Sequence, residues 1–191
     1  MSVTGMLPVG AFLLQHLFSN SYIFVSTEAY NEHSRFLTSL PMVVVLELGM
    51  IYLPILLHAA LGIAILYRAE NNFTTYSKFR NFLFFFQRLT GVLALVFIAT
   101  HSYTTRISSF LAGTEITAAH MSQVLSQPAW LWFYLVGILS VVFHFCNGLW
   151  SFLVTWGITV GPKAQKISSA LTMSLFVVMA LWSILIILRF V

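Results

Sequence analysis

Four histidines of this 191-residue chain, His16, His58, His101 and His144, lie inside long apolar stretches. An imidazole can bind a transition metal, carry a proton or satisfy a buried hydrogen bond. At membrane depth a polar side chain is costly and usually functional. Any one of the four is as readily a packing residue. Each, however, occupies a different apolar stretch, and together they take the first four of five. That joint pattern points to a ligand set. His33 and His120 fall between the stretches and read as solvated loop histidines.

The elements that must position these side chains follow from composition. The chain is 59% hydrophobic and only 7% charged. A soluble domain carries about 25% charged residues, so a soluble globular protein is excluded. Disorder is excluded by the same figures. Nucleic-acid binding is not expected either, because the nine Lys and Arg are scattered rather than clustered. The single cysteine, Cys146, rules out a disulfide framework and c-type haem attachment, and reads as a packing residue. A membrane-spanning helix needs about 20 apolar residues. Five stretches qualify, at 3–24, 42–67, 83–107, 129–158 and 168–190, joined by short loops. The expectation is an all-α membrane protein: residues 1–191 form one domain of five transmembrane helices. The first four make a bundle around the histidines. Met1–Gly5 lack a basic segment, so the first stretch is expected to be a retained span rather than a signal peptide.

Charge sets an expected orientation. Arg68, Lys78, Arg80 and Arg88 border the connection between spans two and three, and Lys163 and Lys166 lie between spans four and five. Arg35, Arg106 and Arg189 are on the other side. Six against three places the former loops, and the N-terminus, in the cytoplasm, with the C-terminus outside. Pro41 and Pro128 are expected to open spans two and four. Gly161-Pro162 is expected to close span four, and Pro8 and Pro54 to kink the spans that contain them.

Depth then sorts the histidines. His16 stands three residues before the polar run Ser19-Asn20-Ser21, and His101 five residues before Arg106. Both lie near the outer side, His101 about 8 Å deep at about 1.5 Å per residue. His58 lies about 15 Å from the inner charge of Arg68. His144 sits near the middle of its span, where depth alone does not place it; by elimination it pairs with His58. Spans one and three are diagonal in a bundle laid out in chain order, as are two and four. Two imidazoles facing across a core at one depth suit the iron of a b-type haem, so two pairs suggest two haems. His58-Ala-Ala-Leu-Gly62 and His144-Phe-Cys-Asn-Gly148 each put a glycine one turn from the histidine, where a porphyrin edge or simply another helix would approach. Zinc or copper would want its ligands at one depth. A cofactor-free, proton-relay transporter would want intramembrane carboxylates, of which Glu47 alone qualifies.

The chain resembles the dihaem cytochrome b membrane-anchor subunits of succinate:quinone oxidoreductases, of the single-subunit five-helix type. The resemblance is carried by Leu7-Pro-Val-Gly10 with Gln15-His16-Leu17 and by Leu53-Pro-Ile-Leu-Leu-His58-Ala-Ala-Leu-Gly62. It continues through Tyr76-Ser-Lys-Phe-Arg-Asn81 with Gln87-Arg88-Leu-Thr-Gly91, and through Phe143-His-Phe-Cys-Asn-Gly-Leu-Trp150 with Thr155-Trp-Gly-Ile-Thr159. It implies that His58 and His144 bind the iron of the inner haem, and His16 and His101 that of the outer one. It also implies two haem b cofactors and a quinone substrate, menaquinone in most members of this type. The implied partners are an FAD-containing flavoprotein and an iron–sulfur subunit, at a bacterial cytoplasmic membrane. Such a chain is the quinone-reactive subunit and holds no succinate-oxidising site itself. Family members of this type carry a basic segment with a further histidine before Leu-Pro-Val-Gly, where this sequence has Met1-Ser-Val-Thr-Gly. The same architecture serves quinol:fumarate reductases and anchors of other quinone-linked dehydrogenases.

Three further residues are candidates for chemistry. Glu47 stands eleven residues before His58, on the same face and at the outer pair's level, where a carboxyl would deliver protons to quinone. Arg88 and Arg106 are the inner and outer candidates for haem propionates, which as anions favour cations. Asn20, Ser19 and Tyr103 are weaker outer-side candidates. Trp130, Trp132, Trp150 and Trp156 read as interfacial or packing aromatics.

Overall fold

The computed structural model describes residues 2–69 and 78–191. Met1, and Tyr76 and Ser77 of the family-like stretch, lie outside the described residues. Every regular element among the described residues is helical. Four helices are long and apolar enough to cross a membrane. These are α3 (Val43–Arg68), α4 (Phe79–Ala112), α6 (Pro128–Thr155) and α7 (Pro162–Leu188). A further helical run, α1, covers residues 2–20. At about 1.5 Å per residue it is about 28 Å long. Gln15, His16 and Ser19 make it less apolar than the other four.

The ends differ from expectation for local reasons. The third span runs on to Ala112 rather than 107, because its helix continues past Arg106 through a π-helical stretch. The fourth stops at Thr155: Ile158 N–H bonds Leu153 O at 2.9 Å and Gly157 N–H bonds Val154 O at 3.2 Å. That double bond pattern is a Schellman stop, and it requires the left-handed backbone that Gly157 supplies at φ 68°. Gly161-Pro162 does not close span four; Pro162 is the first residue of α7, where its missing N–H costs nothing. Pro128 opens α6 as expected.

Pro8 and Pro54 do not simply kink their helices. Pro8 lies within the π-helical stretch Gly5–Gly10, and Pro54 follows another at Leu48–Tyr52. A proline ring clashes with the carbonyl four residues back, and a locally widened turn moves that carbonyl aside. The third π-helical stretch, Tyr103–Ile107, contains no proline. There Thr105 Oγ1 bonds His101 O at 2.6 Å and Thr104 Oγ1 bonds Thr100 O at 2.9 Å.

The connections expected as plain loops on the outer side hold two short helices, α2 (Thr27–Thr38) and α5 (Ala118–Leu125). Ser26 caps the first by accepting from Ala29 N–H at 3.0 Å, and Thr117 caps the second by accepting from His120 N–H at 3.3 Å. The helices are tied together where Ala118 N–H donates to Asn31 Oδ1 at 2.8 Å and Ser34 Oγ donates to Ile116 O at 3.1 Å. Beneath them Tyr30 packs edge-on against Phe190. Burial, and secondly the nearby Tyr134, push the Tyr30 phenol up to about 12.

The packing centres on α6, which lies along both α4 and α7. Val142, Cys146 and Met179 fill this seam, with Cys146 Sγ 3.9 Å from Met179 Sδ. The cysteine is thus a packing residue. No residue of the most apolar window of α3 is buried within the chain. That helix touches α1 near the latter's start and α4 only briefly. Its apolar outer surface is what a bilayer covers.

Candidate functional site

The fold brings the four histidines together in two pairs. The His16 and His101 rings have centroids 5.8 Å apart and cross at 77°. The His58 and His144 rings are 6.1 Å apart and cross at 89°. The partners are those expected from the sequence, His16 on α1 with His101 on α4 and His58 on α3 with His144 on α6, and the two pairs lie at different levels. Tyr134, which contacts His101, stands ten residues before His144 on α6. The two levels are therefore about 15 Å apart along α6.

One metal held between two imidazoles, with bonds of about 2 Å each, puts the ring centroids roughly 6 Å apart. Both pairs meet that spacing. Among the described residues no three metal-binding side chains gather at one point. Two imidazoles alone do not complete the four-coordinate shell of zinc, whereas a porphyrin brings four nitrogens of its own to iron. The donor set therefore fits haem.

The partners of the ring nitrogens agree with this reading. His144 Nδ1 lies 2.9 Å from the main-chain oxygen of Gln87. A carbonyl only accepts, so Nδ1 carries the proton and Nε2 keeps its lone pair. His101 Nδ1 lies 3.1 Å from the Tyr134 hydroxyl, and His58 Nδ1 3.5 Å from Thr4 Oγ1. In these contacts too it is Nδ1 that meets the protein; His144 Nε2 in addition lies 3.4 Å from the Gln87 side-chain nitrogen, to which its lone pair is turned. His16 packs against Phe12 and His101.

Glycines shape the space around the rings, though not the expected ones. A Cβ on Gly5 would stand 2.6 Å from His58 Cε1, and one on Gly91 2.9 Å from His144 Cε1. Both glycines belong to the helix facing the histidine. Gly137 makes room for Phe97, whose ring stacks on His101 at 5.5 Å and 12°. By contrast, Gly148, one turn from His144 on its own helix, clears space for the Gln87 amide at 3.3 Å.

Glu47 and Arg106 meet each other. Arg106 Nε and Nη2 fork onto the two Glu47 oxygens at 2.7 and 2.9 Å, each side chain one-fifth exposed. The pair joins α3 to the π-helical stretch of α4, one turn beyond His101. Beside it the Tyr52 hydroxyl bonds Ser102 Oγ at 2.9 Å. Arg88 folds over Phe84, its guanidinium carbon 4.4 Å from the ring centroid. Asn20 donates to His16 O at 2.8 Å and Tyr103 is exposed. Trp150 Nε1 bonds Gln165 O at 3.1 Å, Trp156 Nε1 bonds Ser2 Oγ at 3.1 Å and Trp132 is exposed.

Sequence reasoning missed several neighbours of the site. His33 is not a solvated loop residue: it lies on α2, stacks on Tyr22 at 4.0 Å and has Nε2 3.0 Å from Ser19 Oγ. Gln15 donates to the same Ser19 oxygen at 2.7 Å. Gln87, Asn147 and Tyr134 stood in plain view as polar residues in apolar helices, which was the available signal.

Comparison with known proteins follows the same line. Residues 66–186 match the family described as succinate dehydrogenase/fumarate reductase transmembrane subunit. The chain is also similar to the succinate dehydrogenase cytochrome b558 subunit of Bacillus subtilis (strain 168). The two are 46% identical over 179 residues, which covers 94% of this chain and 88% of that protein.

Proposed function

The chain belongs to the succinate dehydrogenase/fumarate reductase transmembrane-subunit family, and from that premise we propose that it is the dihaem, quinone-reactive anchor of a succinate:menaquinone oxidoreductase. His58 and His144 would hold the inner b haem, and His16 and His101 the outer. Haem bound at these histidines would supply one-electron transfer between an inner electron donor and quinone on the outer side. The observation that carries the reading is the pair of cross-bundle imidazole contacts, at 5.8 and 6.1 Å.

The protein's own groups have distinct tasks in this reading. Gln87 O holds the His144 proton on Nδ1, so that Nε2 keeps the lone pair that a ligand needs. Gly5 and Gly91 leave the inner imidazoles the room they occupy. Glu47 delivers protons to quinone near the outer pair, with Arg106 holding its carboxylate. Arg106 also has donors to spare for a propionate, and Arg88 is the inner counterpart. The helical run 2–20 is the fifth span. The N-terminus lies in the cytoplasm, the C-terminus outside, in a bacterial inner membrane. A flavoprotein and an iron–sulfur subunit dock on the inner face, where Arg80 and Trp150 meet in a cation–π contact of 5.6 Å.

The test is haem stoichiometry in purified complex from wild type and from His→Ala variants at the four positions. Wild type should carry two b haems. Loss of His58 or His144 should remove one shared haem, and loss of His16 or His101 the other. Two variants from different pairs that remove the same haem would overturn the pairing, and wild type without a b-type reduced-minus-oxidised band would overturn the whole reading.

A further inference from the structure

The contact between His144 and Gln87 depends on an accessible carbonyl in the middle of a helix. Gln87 O belongs to α4, where the flank of a carbonyl is normally shielded by the side chain four residues on. Here that residue is Gly91. A Cβ at position 91 would come within 2.9 Å of His144 Cε1 and 3.1 Å of Nδ1. The imidazole thus occupies the volume of the side chain that glycine lacks, and only there can Nδ1–H reach Gln87 O at 2.9 Å.

A second set of bonds holds the two helices in that register. Asn147, one turn after His144 and 2% exposed, donates through Nδ2 to Gln87 Oε1 at 2.7 Å and to Leu83 O at 3.2 Å. The Gln87 amide in turn donates to His144 O at 3.1 Å and lies 3.4 Å from His144 Nε2, a contact that an iron at Nε2 would replace. Asn147 Oδ1 finds no partner among the described residues. An unpaired buried oxygen is costly. The nitrogen of that amide nevertheless fixes Gln87 beside His144.

We infer that Gly91, Gln87 and Asn147 are positioning residues for the inner iron ligand: they hold His144 in one tautomer and, through the Nδ1–H bond to Gln87 O, lower the reduction potential of the iron bound at its Nε2. The inference rests on the dihaem reading above. Its physical basis is that a hydrogen bond from the far nitrogen of an imidazole makes the ligating nitrogen more basic. A more basic ligand favours the ferric state. Weakening the bond must then raise the potential of the inner haem and leave the outer one alone.

The experiment is a potentiometric titration of the b-haem absorbance in the purified complex. The proteins compared are wild type, Gly91→Ala, Asn147→Leu and, as a packing control, Gly10→Ala. A Cβ at position 10 would stand 2.5 Å from Phe145 Cε2 and 3.2 Å from Gly5 O, crowding the residue next to His144 without touching the His144–Gln87 bond. Gly91→Ala and Asn147→Leu are expected to raise the inner potential by at least a tenfold change in the reduced-to-oxidised ratio, about 59 mV for one electron. The outer haem and Gly10→Ala should not move. An unmoved inner potential in both variants would overturn the inference, as would an equal shift in Gly10→Ala. If Gly91→Ala loses its inner haem, Asn147→Leu decides; loss of that haem from both overturns the inference, because the set is then needed for binding rather than tuning. Wild type without two b haems refutes the dihaem reading instead, so the two failures are distinguishable.

Discussion

The Glu47–Arg106 pair should be coupled in stability, and the structure sets how strongly. The forked contact, at 2.7 and 2.9 Å, puts the charge centres about 4 Å apart. At an effective dielectric constant of about 20 the gross attraction is about 4 kcal/mol. Desolvation offsets part of that. Exposed pairs measure about 0.2–1 kcal/mol, and breaking a buried pair costs about 3–5 kcal/mol. With both side chains one-fifth exposed, the coupling should fall between, at about 2 kcal/mol. That is roughly a 30-fold change in the folded-to-unfolded ratio. The assay is a double-mutant cycle of Glu47→Gln, Arg106→Gln and the double variant, read as reversible unfolding in mixed micelles. Additivity within about 0.5 kcal/mol would refute the argument. The same variants separate structure from chemistry. Glu47→Gln should depress quinone-linked turnover with both haems in place, whereas Arg106→Gln, which keeps the carboxyl, should depress it less. Normal turnover in Glu47→Gln would remove that residue from the quinone chemistry.

Other outcomes follow from contacts already described. Tyr134→Phe removes the hydroxyl 3.1 Å from His101 Nδ1; it should shift the outer haem's absorbance or potential while the inner stays fixed, and a shift of the inner haem alone would contradict the assignment. Gly137→Ala would drive a methyl group into the Phe97 ring. It should cost about 1–3 kcal/mol and loosen the outer pair before the inner, as read by thermal loss of each haem. An electron crossing the membrane potential changes energy by about 2.3 kcal/mol per 100 mV. Succinate oxidation by menaquinone in energised cells should therefore slow when an uncoupler is added, and an unchanged rate would count against quinone reduction on the outer side.

What the sequence made legible was what a rigid rise per residue determines. Depth along a helix needs only counting, so His16 and His101 could be levelled against Ser19–Ser21 and Arg106 before any packing was known. The helix starts at Pro128 and the apolar spans were legible because a fixed φ and a hydrocarbon solvent act locally. Features that depend on how one helix is rotated against another were not. The glycines noted beside His58 and His144, Gly62 and Gly148, share a helix with their histidine, and counting can find such neighbours. The glycines that crowd the rings, Gly5 and Gly91, belong to other helices. No spacing rule reaches across that gap. Glu47 and Arg106 were each singled out for a different task, and only the fold shows that they meet. The π-helical stretches add to the difficulty. Each inserts extra residues into a turn, so the face reached by positions beyond it is rotated from where a regular helix would put it. Arg106 lies in such a stretch, and its neighbour Glu47 immediately precedes another. Histidine depth survives this rotation because an axial coordinate barely changes. Side-chain direction does not survive it, which is why the levels of the site could be read from the sequence and its lateral contacts could not.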